Sequence, residues 1–186
     1  SDVVMTEDEE HVLIEQCKKG DVNAYTLLVK EYQTTIFNCA WRIVLNRDDA
    51  ADITQSAFLK LFERIETFDS NRKFFSWMYR IAINEALDHK RRQRNFDDFD
   101  EEKYSSDNKA PDVSLEDDEL KATIAACLRR LPDDATVVIT LKHFSGLSYS
   151  EIAEVLEIPE RTVKSRLYSA RQRMKNLLPV SIIQRT

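Results

Sequence analysis

Arg161, Lys164, Ser165, Tyr168, Gln172 and Lys175 recur at intervals that bring them to one face of a helix. Guanidinium, ammonium, hydroxyl and amide donors in that pattern can reach base edges from a major groove. Arg166, Arg171 and Arg173 on the flanks are placed to clamp phosphates. Acidic residues are sparse on that face, which weighs against a helical hairpin that only completes a core. A second set lies upstream. Arg80, Asn84, Asp88 and Arg91 form a polar stripe that runs into Lys90-Arg91-Arg92-Gln93-Arg94, and Arg72-Lys73 stand at the start of the same helical segment. Cations at both ends, the aromatics Phe74 and Trp77 between them and an exposed amide suit a nucleic-acid backbone with unstacked bases beside it. On its own, the run from Lys90 to Arg94 reads as a solvated helix end favoured by the macrodipole. Phe74 and Trp77 are likewise core residues first.

Other chemistry is hard to assemble. With Gly20 and Gly146 as the sole glycines, neither a Walker A loop nor a GxGxxG turn can be written anywhere in the chain. His11, His89 and His143 are scattered, and Cys17, Cys39 and Cys127 form no CxxC pair, so no metal site and no cofactor are expected. The cysteines sit among apolar neighbours and read as buried thiols of a reducing compartment. No nucleophile with a base and no paired acids emerge, and catalysis is not expected. No apolar run approaches the roughly 20 residues needed to cross a bilayer, which predicts a cytoplasmic protein without membrane insertion.

The elements that would position these residues are helices. Two glycines and four prolines in 186 residues leave little turn chemistry for sheets. Helical periodicity runs from about Glu7 to Lys18, Asn23 to Val44, Asp48 to Ile65 and Arg72 to Arg94. In the third of these Ile53, Ala57, Leu61 and Ile65 make a buried stripe. Asp52, Gln55, Ser56, Leu59 and Phe62 lie largely elsewhere, and Leu59 and Phe62 either widen that stripe or offer a surface to a partner. Further on, Ser148 and Glu151 form a capping box for a short helix with Ile152, Ala153 and Leu156 inward. Glu157-Ile158-Pro159 makes a turn, and Val163, Leu167, Ala170 and Met174 stripe the next helix. This is the spacing of a helix-turn-helix.

The net charge of −6 hides an uneven distribution. Asp97 to Glu119 carries about −9, leaving about +3 on the remainder. The same stretch holds Ser105, Ser106, Asn108 and Pro111 without an apolar period, which is the composition of a linker. The expected organisation is therefore all-α: a helical domain over 1–95, a flexible acidic linker over 96–119 and a second helical domain over 120–186.

Four segments in order resemble the extracytoplasmic-function sigma factors of bacterial RNA polymerase. They are Gly20-Asp21 with Ala24, Asp49 to Leu59, Phe74 to Asn84, and Leu131-Pro132 through Arg171. The resemblance implies an initiation factor that binds the largest and second-largest subunits of core polymerase and directs it to promoter DNA, with an anti-sigma factor as a further partner. By its match Asp52, Gln55, Leu59 and Phe62 would dock on polymerase. Phe68, Ser70, Asn71, Arg72, Lys73, Arg80, Asn84, Lys90, Arg91, Arg92 and Arg94 would hold the minus-ten element, Asn84 capturing an unpaired base. Arg161, Thr162, Lys164, Ser165, Arg166, Tyr168, Ser169, Arg171 and Arg173 would bind the minus-thirty-five element. The linker would thread through the polymerase cleft.

Three positions depart from the family's pattern. Ser56 stands where an acid is usual, Glu160 replaces a customary glycine, and Ser169 occupies a position that is often arginine. Glu160 adds repulsion near phosphates and Ser169 shortens the reach, so the upstream sequence cannot be copied from a relative. The alternative is a helix-turn-helix regulator acting without polymerase, its first domain a sensor. The aromatic and basic helix at residues 72–94 argues against it, because a sensor has no need of a second nucleic-acid face.

Overall fold

The computed structural model describes residues 5–97 and 118–179; the centre of the acidic stretch lies outside the described residues. Every element among them is helical: α1 (Glu7–Lys18), α2 (Val22–Val44), α3 (Arg47–Arg64), a short 3₁₀ turn (Ile65–Thr67), α4 (Phe74–Asp97), α5 (Asp118–Arg129), α6 (Asp133–Ile139), a π turn (Thr140–Phe144), α7 (Tyr149–Leu156) and α8 (Glu160–Leu177).

Local chemistry sets most of the boundaries. Thr6 and Glu9 cap α1 reciprocally, and Gly20, at φ +84°, turns the chain toward Asp21, whose carboxylate accepts from the amides of Asn23 and Ala24. Leu45 ends α2 in the left-handed region at φ 54°, which a leucine adopts only under constraint. Its side chain is buried, and its amide donates to the Trp41 carbonyl at 2.7 Å, so packing holds the turn. Asn46 then caps α3 through the Asp49 amide. The capping box expected at Ser148 and Glu151 is present at 3.1 and 2.9 Å.

α2, α3 and α4 pack as a bundle with α1 against α2. Leu28, Ile36, Ile43, Leu61 and Met78 are fully buried at its centre. The stripe Ile53, Ala57, Leu61 and Ile65 is buried throughout, as its four-residue spacing requires. Cys17 and Cys39 are enclosed in the same bundle, and burial pushes their thiols up to about 11 and about 12. Cys127 is buried at the end of α5 in the second domain, and all three cysteines are free.

In the second domain α8 lies against α6 and α7, with Val163, Leu167 and Ala170 buried and Met174 half-buried. The two apolar cores meet, because α4 packs on α7 and the π turn packs on α2. That explains a departure from the periodicity of α7. Ile152 and Val155 are fully buried, whereas Ala153 and Leu156 are only half-buried, since this short helix is shared between α8 and α4.

Candidate nucleic-acid and polymerase interfaces

Pro159 stands at the N-cap position of α8, one residue before its first helical residue, where a missing N–H leaves nothing unsatisfied. Beyond it Arg161, Lys164, Ser165, Tyr168, Ser169, Arg171 and Arg173 are exposed, while Thr162 and Arg166 are half-buried. Tyr168 is 67% exposed, too open to be a core residue. Lys164 is held from two sides. Its ammonium lies 3.7 Å from Glu160 Oε1 and 5.6 Å from the centroid of the Tyr149 ring. The unusual acid at the helix start thus restrains a cation that could reach DNA. Arg171 Nε donates to His143 Nε2 at 3.2 Å. Burial, with Arg171 and Lys142 nearby, holds the His143 imidazole below its ordinary pKa, which keeps that nitrogen free to accept.

On α3 the spacing resolves into a partition. Asp52, Gln55 and Leu59 are exposed, Leu59 at 58%. Phe62 is half-buried, its ring 4.2 Å from that of Tyr25 and 6.1 Å from that of Phe58. Leu59 is therefore free surface, and Phe62 is a packing residue at its edge.

The loop before α4 is anchored rather than open. Phe68 is 6% exposed and stacks on Trp77 at 4.9 Å, with Phe74 edge-on at 5.6 Å. Clustering of three apolar rings draws it inward, so it supports the loop from beneath. Ser70 Oγ donates to Glu15 Oε1 at 2.6 Å and accepts from Lys18 Nζ at 2.7 Å, tying the loop to α1. Asn71, Arg72 and Lys73 are exposed.

Along α4 the polar stripe faces the second domain. Arg80 Nη2 donates to the Glu154 carbonyl at 2.9 Å and Nε to the Val155 carbonyl at 3.1 Å, while Nη1 lies 3.4 Å from Glu157 Oε1. Asn84 is exposed and lines a cleft of about 410 Å³ with Arg80, Arg91, Asp133 and Arg166. Lys90 Nζ lies 2.9 Å from Asp133 Oδ1, and Arg94 pairs with the other oxygen of the same carboxylate. Arg91 pairs with Asp88 at 3.3 Å, and Arg92 is exposed.

Sequence reasoning missed the cross-domain partners. Arg42, alone among Ala40, Trp41, Ile43 and Val44, was the available signal. Its guanidinium sits 4.5 Å from the Trp41 ring centroid and 4.1 Å from that of Phe144. Among the described residues no group of three His, Cys, Asp or Glu side chains could hold a metal, and no helix is long and apolar enough to cross a membrane.

Comparison with known proteins accounts for both halves. The Sigma-70 region 2 family matches residues 28–96, and the Sigma-70, region 4 family matches residues 121–174. The RNA polymerase sigma-H factor of Pseudomonas aeruginosa is 33% identical across 94% of this chain and 96% of its own. The ECF RNA polymerase sigma factor SigW of Bacillus subtilis is 36% identical across 89% and 94%. In structure the chain is similar to CnrH, solved with the cytosolic domain of CnrY, at a TM-score of 0.68 and 24% identity over 90% of this chain and 96% of that one. RpoE of Bartonella quintana, solved with the anti-sigma factor NepR, gives the same TM-score and identity over 86% and 99%. The chain belongs to the sigma-70 family, within its extracytoplasmic-function group. Members of that family are transcription factors, and this one directs core RNA polymerase to promoters as an initiation factor.

Proposed function

We propose that α3 docks on core polymerase through Asp52, Gln55 and Leu59, with Phe62 shaping the edge of that face. The loop at Asn71 to Lys73 and the stripe of Arg80, Asn84, Lys90, Arg91, Arg92 and Arg94 take the minus-ten strand, Phe68 and Ser70 holding the loop in place. The α8 face from Arg161 to Arg173 reads the minus-thirty-five duplex. Residues 1–95 and 120–186 are the two working domains and 96–119 their acidic tether. The protein acts in the cytoplasm, catalyses no reaction of its own and uses no cofactor. An anti-sigma factor controls it, a reading supported by the solved complex of RpoE with NepR. The observation that carries the assignment is the presence of two donor-rich cationic faces, one on each domain, beside an exposed face of α3 that neither DNA surface shares. Affinity capture with purified core polymerase, followed by sequencing of the transcripts the holoenzyme starts, tests it. One shared promoter pattern is the expected result, and no polymerase association would end the proposal.

Two substitutions separate the roles on DNA. Asn84→Ala is expected to impair open-complex formation and flatten preference at one base of the downstream element. An amide pairs with the edge of an extruded base, and extrusion requires a few kcal/mol from the pocket. Permanganate footprinting over base variants of the promoter checks this. Lys164→Ala is expected to relax preference at particular upstream base pairs, costing about 1–3 kcal/mol there. Arg173→Ala, by contrast, should weaken all sites alike and reduce the salt slope by about one. Binding titrations at several salt concentrations distinguish the two patterns.

A further inference from the structure

We propose that Glu160 and Lys164 together read a single C·G base pair of the upstream element, Glu160 taking the cytosine and Lys164 the guanine. The inference rests on the assignment of the α8 face to the minus-thirty-five duplex and deepens it. Glu160 is the first residue of α8 and is exposed. In a helix-turn-helix the N-terminal residues of the second helix contact base edges, so this acid stands where readout takes place. Four-residue spacing sets Glu160, Lys164, Tyr168 and Gln172 in one row along α8, and all four are exposed. Within that row the Glu160 carboxylate is the one group that carries acceptors and no donor.

A carboxylate in a major groove is repelled by phosphates and by most base edges. Guanine shows it N7 and O6 and thymine O4, all acceptors, and the amino group of adenine lies beside the N7 acceptor. Cytosine presents its N4 amino group next to the ring C5–H, so a carboxylate meets a donor there and no lone pair beside it. The paired guanine offers O6 and N7 to the Lys164 ammonium, whereas thymine opposite adenine offers one acceptor and a methyl group. The spacing agrees with this. Glu160 Oε1 and Lys164 Nζ lie 3.7 Å apart, and N4 and O6 of one C·G pair are joined by a hydrogen bond of about 2.9 Å. Acceptor and donor on the protein can therefore face donor and acceptor on the base pair without parting. The Tyr149 ring, half-buried on α7 and 5.6 Å from the Lys164 ammonium, restricts the lysine further. Ordering it before DNA arrives lowers the entropy lost on binding. The Lys164 and Glu160 side chains keep 57% and 50% of their exposure, so their pairing adds little to the fold and both groups stay within reach of DNA.

The test uses holoenzyme assembled from the full chain and core polymerase, titrated against a promoter library varied over the upstream element. The unaltered chain should favour C·G over the other pairs by about tenfold at one position. Glu160→Ala and Lys164→Ala should each remove that preference at the same position. Glu160→Ala should also tighten sites that lack the pair about twofold, because a charge facing phosphates is gone. Glu160→Gln should move the preference toward adenine, whose N6 and N7 an amide can meet together. If Glu160→Ala leaves the base profile intact while Lys164→Ala alters it, the acid is a helix-surface partner of the lysine and the proposal fails, although α8 still reads the duplex. Effects of the two variants at different base pairs overturn the shared reading in the same way. A profile indifferent to alanine at Glu160, Lys164, Ser165 and Tyr168 alike would instead remove α8 from the upstream element.

Discussion

Leu59→Glu is expected to abolish association with core polymerase while leaving the melting temperature within a few degrees of the unaltered chain. At 58% exposure Leu59 contributes little to the bundle, and surface substitutions of this kind usually stay within about 0.5 kcal/mol. At the centre of an interface the same change removes an apolar anchor and buries a charge without a partner. Losses of about 2–4 kcal/mol are typical for such positions, about 30- to 1,000-fold in affinity. Phe62→Glu serves as the contrast. Its ring is packed on Tyr25 and Phe58, so a carboxylate there leaves a void and an unpaired charge, at a cost of about 2–3 kcal/mol of stability. Calorimetry and core-binding titrations on both variants test the partition. A large thermal loss for Leu59→Glu, or retained polymerase binding, would overturn the proposed docking face.

Lys60→Met is expected to destabilise the first domain by about 2 kcal/mol, and adding Glu85→Leu to restore most of that loss. Glu85 is 6% exposed on α4, and its carboxylate pairs with the Lys60 ammonium on α3. Removing the lysine strands an acid inside the bundle. Breaking a fully buried pair costs about 3–5 kcal/mol, and the figure is reduced here because the Lys60 side chain is 40% exposed. Replacing both residues with apolar ones removes the desolvation penalty together with the attraction. Thermal unfolding of the two single variants and the double variant closes a cycle. Near-additive losses would mean that Glu85 is satisfied by some other route. The pair also separates two functions along one stretch of sequence, because Leu59 faces outward while its neighbour Lys60 fixes α3 to α4 next to Asn84.

What could be read from the sequence was local. The capping box at Ser148, the stripe of α8 and the four-residue spacing of Ile53 to Ile65 depend on neighbours within one or two turns, and all three are present in the structure. The exposed cations and donors of α8 were also legible, since a helical face follows from spacing alone. The burial of Phe68 was not legible, because a loop aromatic gives no sign of the rings that pack against it. Leu45 and Glu157 adopt left-handed conformations without being glycine, and at Leu45, whose side chain is buried, tertiary packing overrides local preference. The grip of Arg80 on α7 joins residues more than 70 positions apart and uses backbone carbonyls, which no residue type announces. The acid that Lys90 and Arg94 share is likewise distant in sequence: it is Asp133, the first residue of α6.

The three enclosed thiols give the molecule a set of internal clocks. Cys17 and Cys39 lie in the first bundle and Cys127 in the second domain, and with thiols pushed to about 11 and about 12 the first two hold almost no thiolate at neutral pH. An alkylating reagent can reach them only when the surrounding helices part, so each modification rate counts openings of its own neighbourhood. Residue-resolved pulse alkylation would therefore report breathing of the two domains separately in a single sample. Cys39 borders the cleft that α2 shares with Phe144 and Ser145, so it would also record a parting of α2 from the π turn, whereas Cys17 and Cys127 answer to openings within their own domains.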